Sequence, residues 1–335
     1  MKIQFICTWG IRCGIAVYQL YLARSLKRLG HDVSVLDIRK TPAELEAAIK
    51  SFKPDVLHLQ YEPAFGLIDT FLPLGRLVPT SVVTCHRPTM EHLPLFRRYY
   101  KGIVVHRNVP AEFCDARLWK APMAAPVTEK MDQIEARKSL SIPPDARVIA
   151  TFGFLSGYKG FDQVLACMIP HLKEYKDVWS IWLTSEHFMA PTSGESAQRR
   201  MAKIAQDAGV ADRFVHHTEF LTDEQINRHL QAADLGFIWC GQHTGGNSAA
   251  GLQFISARIP CVVTESDHFH TIPGGVVRSP FDIGEFCKTV FHTLNNPEML
   301  RSLKQEAIAA YEQINYHEVA NEYAKYYERL SHEAV

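Results

Sequence analysis

The sequence predicts an α/β protein of two consecutive doubly wound domains, each built on a parallel sheet. Three observations carry this. The 335 residues exceed a single domain of roughly 100–200 residues. Short apolar runs alternate with segments of helical periodicity along nearly the whole length. The alternation breaks once, over a proline-containing stretch at 118–130, and then resumes. Strands separated by helices call for parallel pairing and right-handed crossovers.

The first half reads in order. "IQFICTW" (3–9) is a short apolar run, hence a buried strand. Ile15, Tyr18, Leu22, Leu26 and Leu29 then recur at helical spacing, and Gly30 closes the run as a C-cap. "DVSVLDI" (32–38) is the next strand and "PAELEAAIKSF" (42–52) the next helix. "DVLHLQY" (55–61), "TSVVTCH" (80–86) and "GIVVHR" (102–107) are further strands. "LWKAPMAAPVTEK" (118–130) has two prolines among small residues, and reads as a linker.

The second half restarts after "SIPPDA" (141–146). "RVIATFGFL" (147–155) is a strand and "KGFDQVLACMIPHL" (159–172) a helix. "WSIWLTS" (179–185) is a strand, "SAQRRMAKIAQDAG" (196–209) a helix ending in glycine, and "RFVHHTEF" (213–220) a strand. "TDEQINRHLQAA" (222–233) opens with a Thr-x-x-Gln capping box. "LGFIWC" and "PCVVTE" are two more strands, and three helices close the chain. In the last of these Tyr316, Val319, Ala320, Tyr323, Tyr326, Tyr327 and Leu330 form one stripe, which must pack against something.

Bulk composition excludes several classes. Lys plus Arg and Asp plus Glu balance at 36 each, so no electrostatic reason points to nucleic acid as a partner. The eight cysteines form no CxxC pair and several lie in apolar runs; they read as buried free thiols in a reducing compartment. The start "MKIQFICTWGIRCG" is too short and interrupted for a secretory core, and no run reaches the ~18 apolar residues of a spanning helix. A cytoplasmic protein is expected, with peripheral membrane contact as a further expectation. "LFRRYYKG" (95–102) mixes cations with aromatics and reads either as a solvated helix face or as a contact for anionic headgroups or a phosphorylated acceptor. The 16 histidines lack metal-ligand spacing, so no metal is expected.

Ligands of open α/β sheets sit beyond the carboxyl ends of the strands, and two such sheets place the natural site in the cleft between them. The candidate residues follow from that rule. Gly14 opens the first helix, where a missing Cβ lets a ligand approach backbone N–H groups; a plain strand–helix loop is the alternative reading. His86 ends one strand, is followed by Arg87, and in its neutral state can bond a polar substrate. Glu62 sits at a similar strand end. Lys159 stands at the start of the second half's first helix, where a lysine opposes the helix dipole and a bound diphosphate would explain it. Thr244, Gly245, Gly246, Asn247 and Ser248 offer backbone and hydroxyl donors before a helix starting near Ala249, with Asn247 or Ser248 as its cap.

Together these pieces resemble the retaining GT-B glycosyltransferases of family 4, over nearly the whole chain. The carriers are "CGIAVYQLYLARSLKRLGHDVSVLD" (13–37), "PDVLHLQYEPAFG" (54–66), "SVVTCH" (81–86), "FGFLSGYKGFDQVL" (152–165), "GGNSAAGLQFISARIPCVVT" (245–264) and the tail at 296–330. The resemblance implies two Rossmann-like domains facing a central cleft. One is an acceptor-side domain over 1–125, on which a helix at 315–335 packs back. The other is a nucleotide-sugar-binding domain over 140–312. It implies Lys159 on the donor diphosphate, His86 on the transferred sugar, and Gly14 near the phosphates and acceptor. Glu62 and Arg87 fall on the acceptor side. The family often carries two glutamates where Gly245 and Gln253 stand here, and an arginine where Phe154 stands. Gln253 keeps hydrogen-bonding capacity for a ribose without charge.

The activity implied is transfer of a sugar from a nucleotide sugar to an acceptor hydroxyl, on a glycan, a lipid-linked or another acceptor, in bacterial glycan or glycoconjugate synthesis. No cofactor is implied, the nucleotide sugar being a substrate. Two other readings stay open: a non-catalytic GT-B partner subunit, which the missing glutamates favour, and another GT-B sugar-nucleotide enzyme such as an epimerase.

Overall fold

The computed structural model describes residues 1–10, 13–66, 68–155, 157–186, 194–241 and 248–332. It separates into two compact units, Met1–Ala124 with Ile314–Val335, and Ala125–Gln313.

The first unit runs β1 (Lys2–Cys7), α1 (Gly14–Arg28), β2 (Asp32–Asp37), α2 (Pro42–Phe52), β3 (Val56–Tyr61), the short α3 (Ile68–Phe71), β4 (Thr80–Cys85), α4 (His92–Tyr99), β5 (Gly102–Val105) and β6 (Leu118–Lys120). The strands form one parallel sheet in the order β2-β1-β3-β4-β5-β6. Local sequence explains the helix starts. Cys13 caps α1 through its sulfur, which accepts from the Ala16 N–H at 3.4 Å. Thr41 and Glu44 form a reciprocal capping box at α2, with Pro42 in its first turn. The α1 helix stops at Arg28, so Leu29 leaves the apolar stripe on which the spacing places it and is exposed. Gly30 follows with a positive φ of 87°, a conformation that costs glycine least.

One stretch differs from the sequence reading here. The stretch expected as a linker from 118 begins with β6, which pairs in register with β5. Three half-exposed or exposed residues at a sheet edge are too short to show period-two patterning.

Strand alternation divides the core of this unit. Leu57, Leu59 and Tyr61 of β3 join Val83, Cys85, Ile103 and Val105 in a cluster with Leu45 and Ile49 of α2 and Leu93 and Phe96 of α4. The intervening positions His58, Gln60 and Thr84 therefore face the other side. That side is covered by α1 and by the closing helix α12 (Tyr316–His332), which packs on α1 and β4. All seven residues of the α12 stripe are buried.

The second unit runs α5 (Gln133–Ser139), β7 (Arg147–Leu155), α6 (Phe161–Glu174), β8 (Val178–Glu186), α7 (Gly194–Asp207), β9 (Phe214–His217), α8 (Asp223–Gln231), β10 (Leu235–Ile238), α9 (Ala249–Ser256), β11 (Cys261–Thr264), β12 (Val276–Ser279), α10 (Ile283–Leu294) and α11 (Pro297–Ile314). Its sheet is also parallel, in the order β12-β11-β10-β7-β8-β9. The expected capping box at Thr222 and Gln225 is present. The helix expected from 159 begins at Phe161, and residues 157–159 form a separate 3-10 turn. Among the described residues no helix is long and apolar enough to cross a membrane.

The face under α12 generates a stability prediction. The Tyr327 hydroxyl lies 2.5 Å from His58 Nδ1 with both groups buried. Tyr327→Phe leaves that ring nitrogen unsatisfied and destabilises the first unit by about 1–3 kcal/mol. Chemical denaturation followed by a probe in that unit reads the loss as a lower midpoint; an unchanged midpoint would show that the bond carries nothing.

Candidate functional site

In a doubly wound sheet the crevice opens where the strand order reverses. In the second unit this point lies between β7 and β10. The chain leaving β7 forms the 3-10 turn Gly157–Lys159, then α6. The chain leaving β10 is pinned to that turn, because the Gly241 N–H donates to the Tyr158 carbonyl at 2.8 Å.

Lys159 is half-buried in this crevice. Its ammonium rests on the backbone of Gly153, which has φ +151°; a Cβ there would come within 2.3 Å of Lys159 Nζ. Glycine at 153 is thus what makes room for the cation. The Phe161 ring centroid lies 6.0 Å from Nζ. Among the described residues Lys159 has no hydrogen bond or ion pair. Burial pushes its pKa from 10.5 down to about 8, with the Cys240 thiol pulling weakly the other way. The sequence reading of Lys159 as a helix-start residue is corrected in one respect: it lies in the turn before α6, which begins at Phe161, and there its charge is desolvated.

On the β10 side, Thr244, Gly245, Gly246 and Asn247 lie outside the described residues. Ser248 is described and is the cap of α9: its hydroxyl accepts from the Gly251 N–H at 3.1 Å. That bond uses one orphan donor of the first turn and leaves the positive end of the helix for an anion. Gln253 lies one turn further on and is 9% exposed, and its carboxamide has no hydrogen bond among the described residues. Phe154 stacks on Phe220, with centroids 6.3 Å apart and planes 25° apart. An apolar pair thus occupies the position where a second cation was sought.

In the first unit the order reverses between β1 and β3. Gly14 is the first residue of α1, and a Cβ built on it meets open space. Glu62 and Arg87 follow β3 and β4 and are brought together as an ion pair at 2.9 Å. Burial raises the Glu62 pKa, and Arg87 opposes that rise.

His86 follows β4, held by its own N–H to the Tyr61 carbonyl at 3.0 Å. Its ring Nε2 lies 2.7 Å from Gln60 Oε1. Tyr18 and His106 flank it, with centroids at 5.4 and 5.5 Å. Burial, and then the neighbouring His106 and His58, hold its pKa well below the usual value, so the ring is neutral. Burial also lowers His58 to about 3 and His106 to about 4.

These histidines sit on a buried network that sequence reasoning missed. His58 Nε2 lies 2.7 Å from Thr84 Oγ1, Thr84 lies 3.5 Å from the Tyr323 hydroxyl, and Tyr323 lies 3.0 Å from the Tyr18 hydroxyl. The available signal was the alternation in "VLHLQY", which puts His58 and Gln60 on one face of a strand that is buried throughout. His216 and His217 lie on β9 as expected. Among the described residues no group of three or more His, Cys, Asp or Glu side chains converges as a metal site.

No protein-family model matches this sequence, and no curated protein matches it by sequence. Solved structures do match. The fold is that of the GT-B glycosyltransferases, two Rossmann-like units each with a six-stranded parallel sheet. A glycosyltransferase from Rickettsia africae superposes with a TM-score of 0.73 at 10% identity, covering 99% of both chains. Sucrose-phosphate synthase from Thermosynechococcus elongatus gives 0.72 at 12% identity, covering 98% of this chain and 99% of its own. The Anabaena protein HepE, solved with UDP and glucose, gives 0.69 at 13% identity, covering 98% of this chain and 100% of its own.

Two pH-dependent outcomes follow. Below pH 8 Lys159 is charged both folded and unfolded, so the folded state bears the whole desolvation cost. Lys159→Met removes that cost and raises the stability of the second unit at pH 7 by up to about 3 kcal/mol. The gain shrinks as pH rises from about 8 toward 10.5; denaturation curves at pH 7 and 10 measure it, and equal gains at both would refute the assignment. For the histidines the folded pKa lies below the unfolded one, so their stabilisation is complete above about 6.5 and is lost as pH falls toward the range of about 3 to 4. The melting temperature of the first unit should drop steeply across that window, and less steeply in His106→Gln.

Proposed function

We propose that this protein is a retaining glycosyltransferase that moves a sugar from a nucleotide-sugar donor to an acceptor hydroxyl, in cytoplasmic synthesis of a bacterial glycan or glycoconjugate. The observation that carries this reading is Lys159: a desolvated ammonium with no partner among the described residues, at the switch-point crevice of the second sheet. Such a group is costly unless an anion completes it. A nucleoside diphosphate does so, and the Anabaena neighbour of the same fold was solved with UDP and glucose.

The chemistry breaks the anomeric C–O bond. Positive charge grows on the sugar and negative charge on the departing diphosphate. Lys159 and the N–H groups at the start of α9, with Thr244 to Asn247 before it, stabilise that negative charge. Gln253 bonds the ribose hydroxyls in place of a carboxylate. Neutral His86 orients the transferred sugar, and the acceptor enters by way of the first unit, near Gly14, Glu62 and Arg87. No carboxylate pair is invoked, because a stabilised diphosphate is a good leaving group. A non-catalytic partner subunit is the second reading, favoured by Gly245 and Gln253 standing where relatives often carry acids.

A thermal-shift series with UDP, GDP, ADP and their sugar conjugates tests the donor site. The matching nucleotide at a hundredfold excess over Kd raises the melting temperature by roughly 5–10 °C. Lys159→Ala abolishes that shift and lowers turnover at least about a hundredfold. Gln253→Ala weakens nucleotide affinity about tenfold. If no nucleotide shifts the melt, the donor site is wrong; if one binds and no sugar is transferred or hydrolysed, the partner-subunit reading replaces the enzyme.

A further inference from the structure

His86 is assigned to the sugar, but the hydrogen bond it can make there depends on which ring nitrogen carries its proton. The first unit answers this through Gln60, a fully buried residue of β3 with no role in the reading above. Gln60 Oε1 can only accept, so at 2.7 Å it requires a proton on His86 Nε2. The other ring nitrogen is then a bare acceptor. It has no partner among the described residues, and it is not sealed in as the orphan Nε2 of His106 is.

The orientation of the Gln60 carboxamide is set from behind. Its amino group faces His58 Nε2 at 3.5 Å, and the same nitrogen meets the Thr84 hydroxyl at 2.7 Å. Both approaching groups can donate, so His58 Nε2 is the acceptor and the His58 proton sits on Nδ1, donated to Tyr327 Oη at 2.5 Å. Thr84, having given its proton to His58, accepts from Tyr323, which accepts from Tyr18. The donors from α1 and α12 meet the Gln60 amino group at His58 Nε2, His58 passes its own Nδ1 proton to Tyr327, and no group in the series is left facing a like group.

We propose that Gln60 is a positioning residue that holds His86 in its Nε2–H tautomer and thereby presents Nδ1 as an acceptor for a hydroxyl of the bound sugar. The contact then requires a sugar O–H that donates. This rests on the glycosyltransferase reading for the identity of the hydroxyl, and not for the tautomer.

The test uses the full-length protein labelled with 15N-histidine, with His86 signals assigned by their loss in His86→Asn. Long-range proton–nitrogen correlation at neutral pH should show His86 protonated at Nε2 and bare at Nδ1. In Gln60→Leu the ring should become a mixture of both tautomers. Turnover should then fall about tenfold with nucleotide affinity unchanged, since the sugar contact alone is disturbed. Gln60→Glu keeps an acceptor toward Nε2, so it should retain the tautomer, recover most of the turnover and titrate His86 at higher pH than in the parent protein. A wild-type ring protonated at Nδ1 overturns the inference, because it means the carboxamide is reversed. So does Gln60→Leu with an unchanged tautomer. Should Gln60→Leu not fold, the wild-type and Gln60→Glu spectra decide alone: loss of the Nε2 proton in either refutes the lock. If no nucleotide sugar is bound or turned over while the tautomer is as stated, the functional reading fails and the lock stands.

Discussion

Tyr323 and Tyr327 reach the sheet of the first unit from the far end of the chain, and much of that unit is arranged around them. A buried tyrosine contributes a large apolar area but brings a hydroxyl that must find a partner. Neither ring has any measurable exposure. Their hydroxyls therefore demand polar groups on the strands beneath, and β3 and β4 supply His58 and Thr84. Once His58 is fixed, the Gln60 amide has a defined donor direction, and His86 at the strand end inherits it. A packing requirement of the last helix is thus transmitted to a side chain at the carboxyl end of the sheet.

The second unit solves the opposite problem. There a charged group is brought out of water and has no hydrogen bond or ion pair among the described residues. Gly153 makes the space, the ring of Phe161 lines it, and Phe154 with Phe220 replaces polar neighbours by an aromatic stack. The arrangement lowers stability in the empty protein and strengthens any electrostatic contact an anion makes there, because the surrounding dielectric is low. Residue 253 is a neutral glutamine and α9 carries no acid, so neither offsets the charge of Lys159.

Much of the fold was legible in the sequence. The long central strands and amphipathic helices stand out because their burial produces a period of 2.0 or 3.6 in the letters. The α12 stripe was readable residue by residue for that reason. Four elements were not, among them the four-residue helix α3. The edge strands β6 and β12 have three and four residues, and α5 has seven. Elements this short are held by neighbours and caps, such as Asp132 at α5, and carry no periodicity of their own.

The sequence by itself determined the class of architecture and where its strands end, since those follow from local patterning and chain order. It also marked Lys159, His86 and Ser248, because their residue types are unusual or diagnostic at such ends. Only the tertiary structure decided what state these groups are in. The state of Lys159 depends on Gly153, Phe161 and the opposing pull of Cys240, which converge only when β7 and β10 lie side by side. The proton position on His86 depends on Gln60, His58 and Thr84, and through them on a helix more than two hundred residues away; Tyr327 is 269 residues from His58. Protonation, burial and tautomer are sums over neighbours in space, and no run of letters contains that sum.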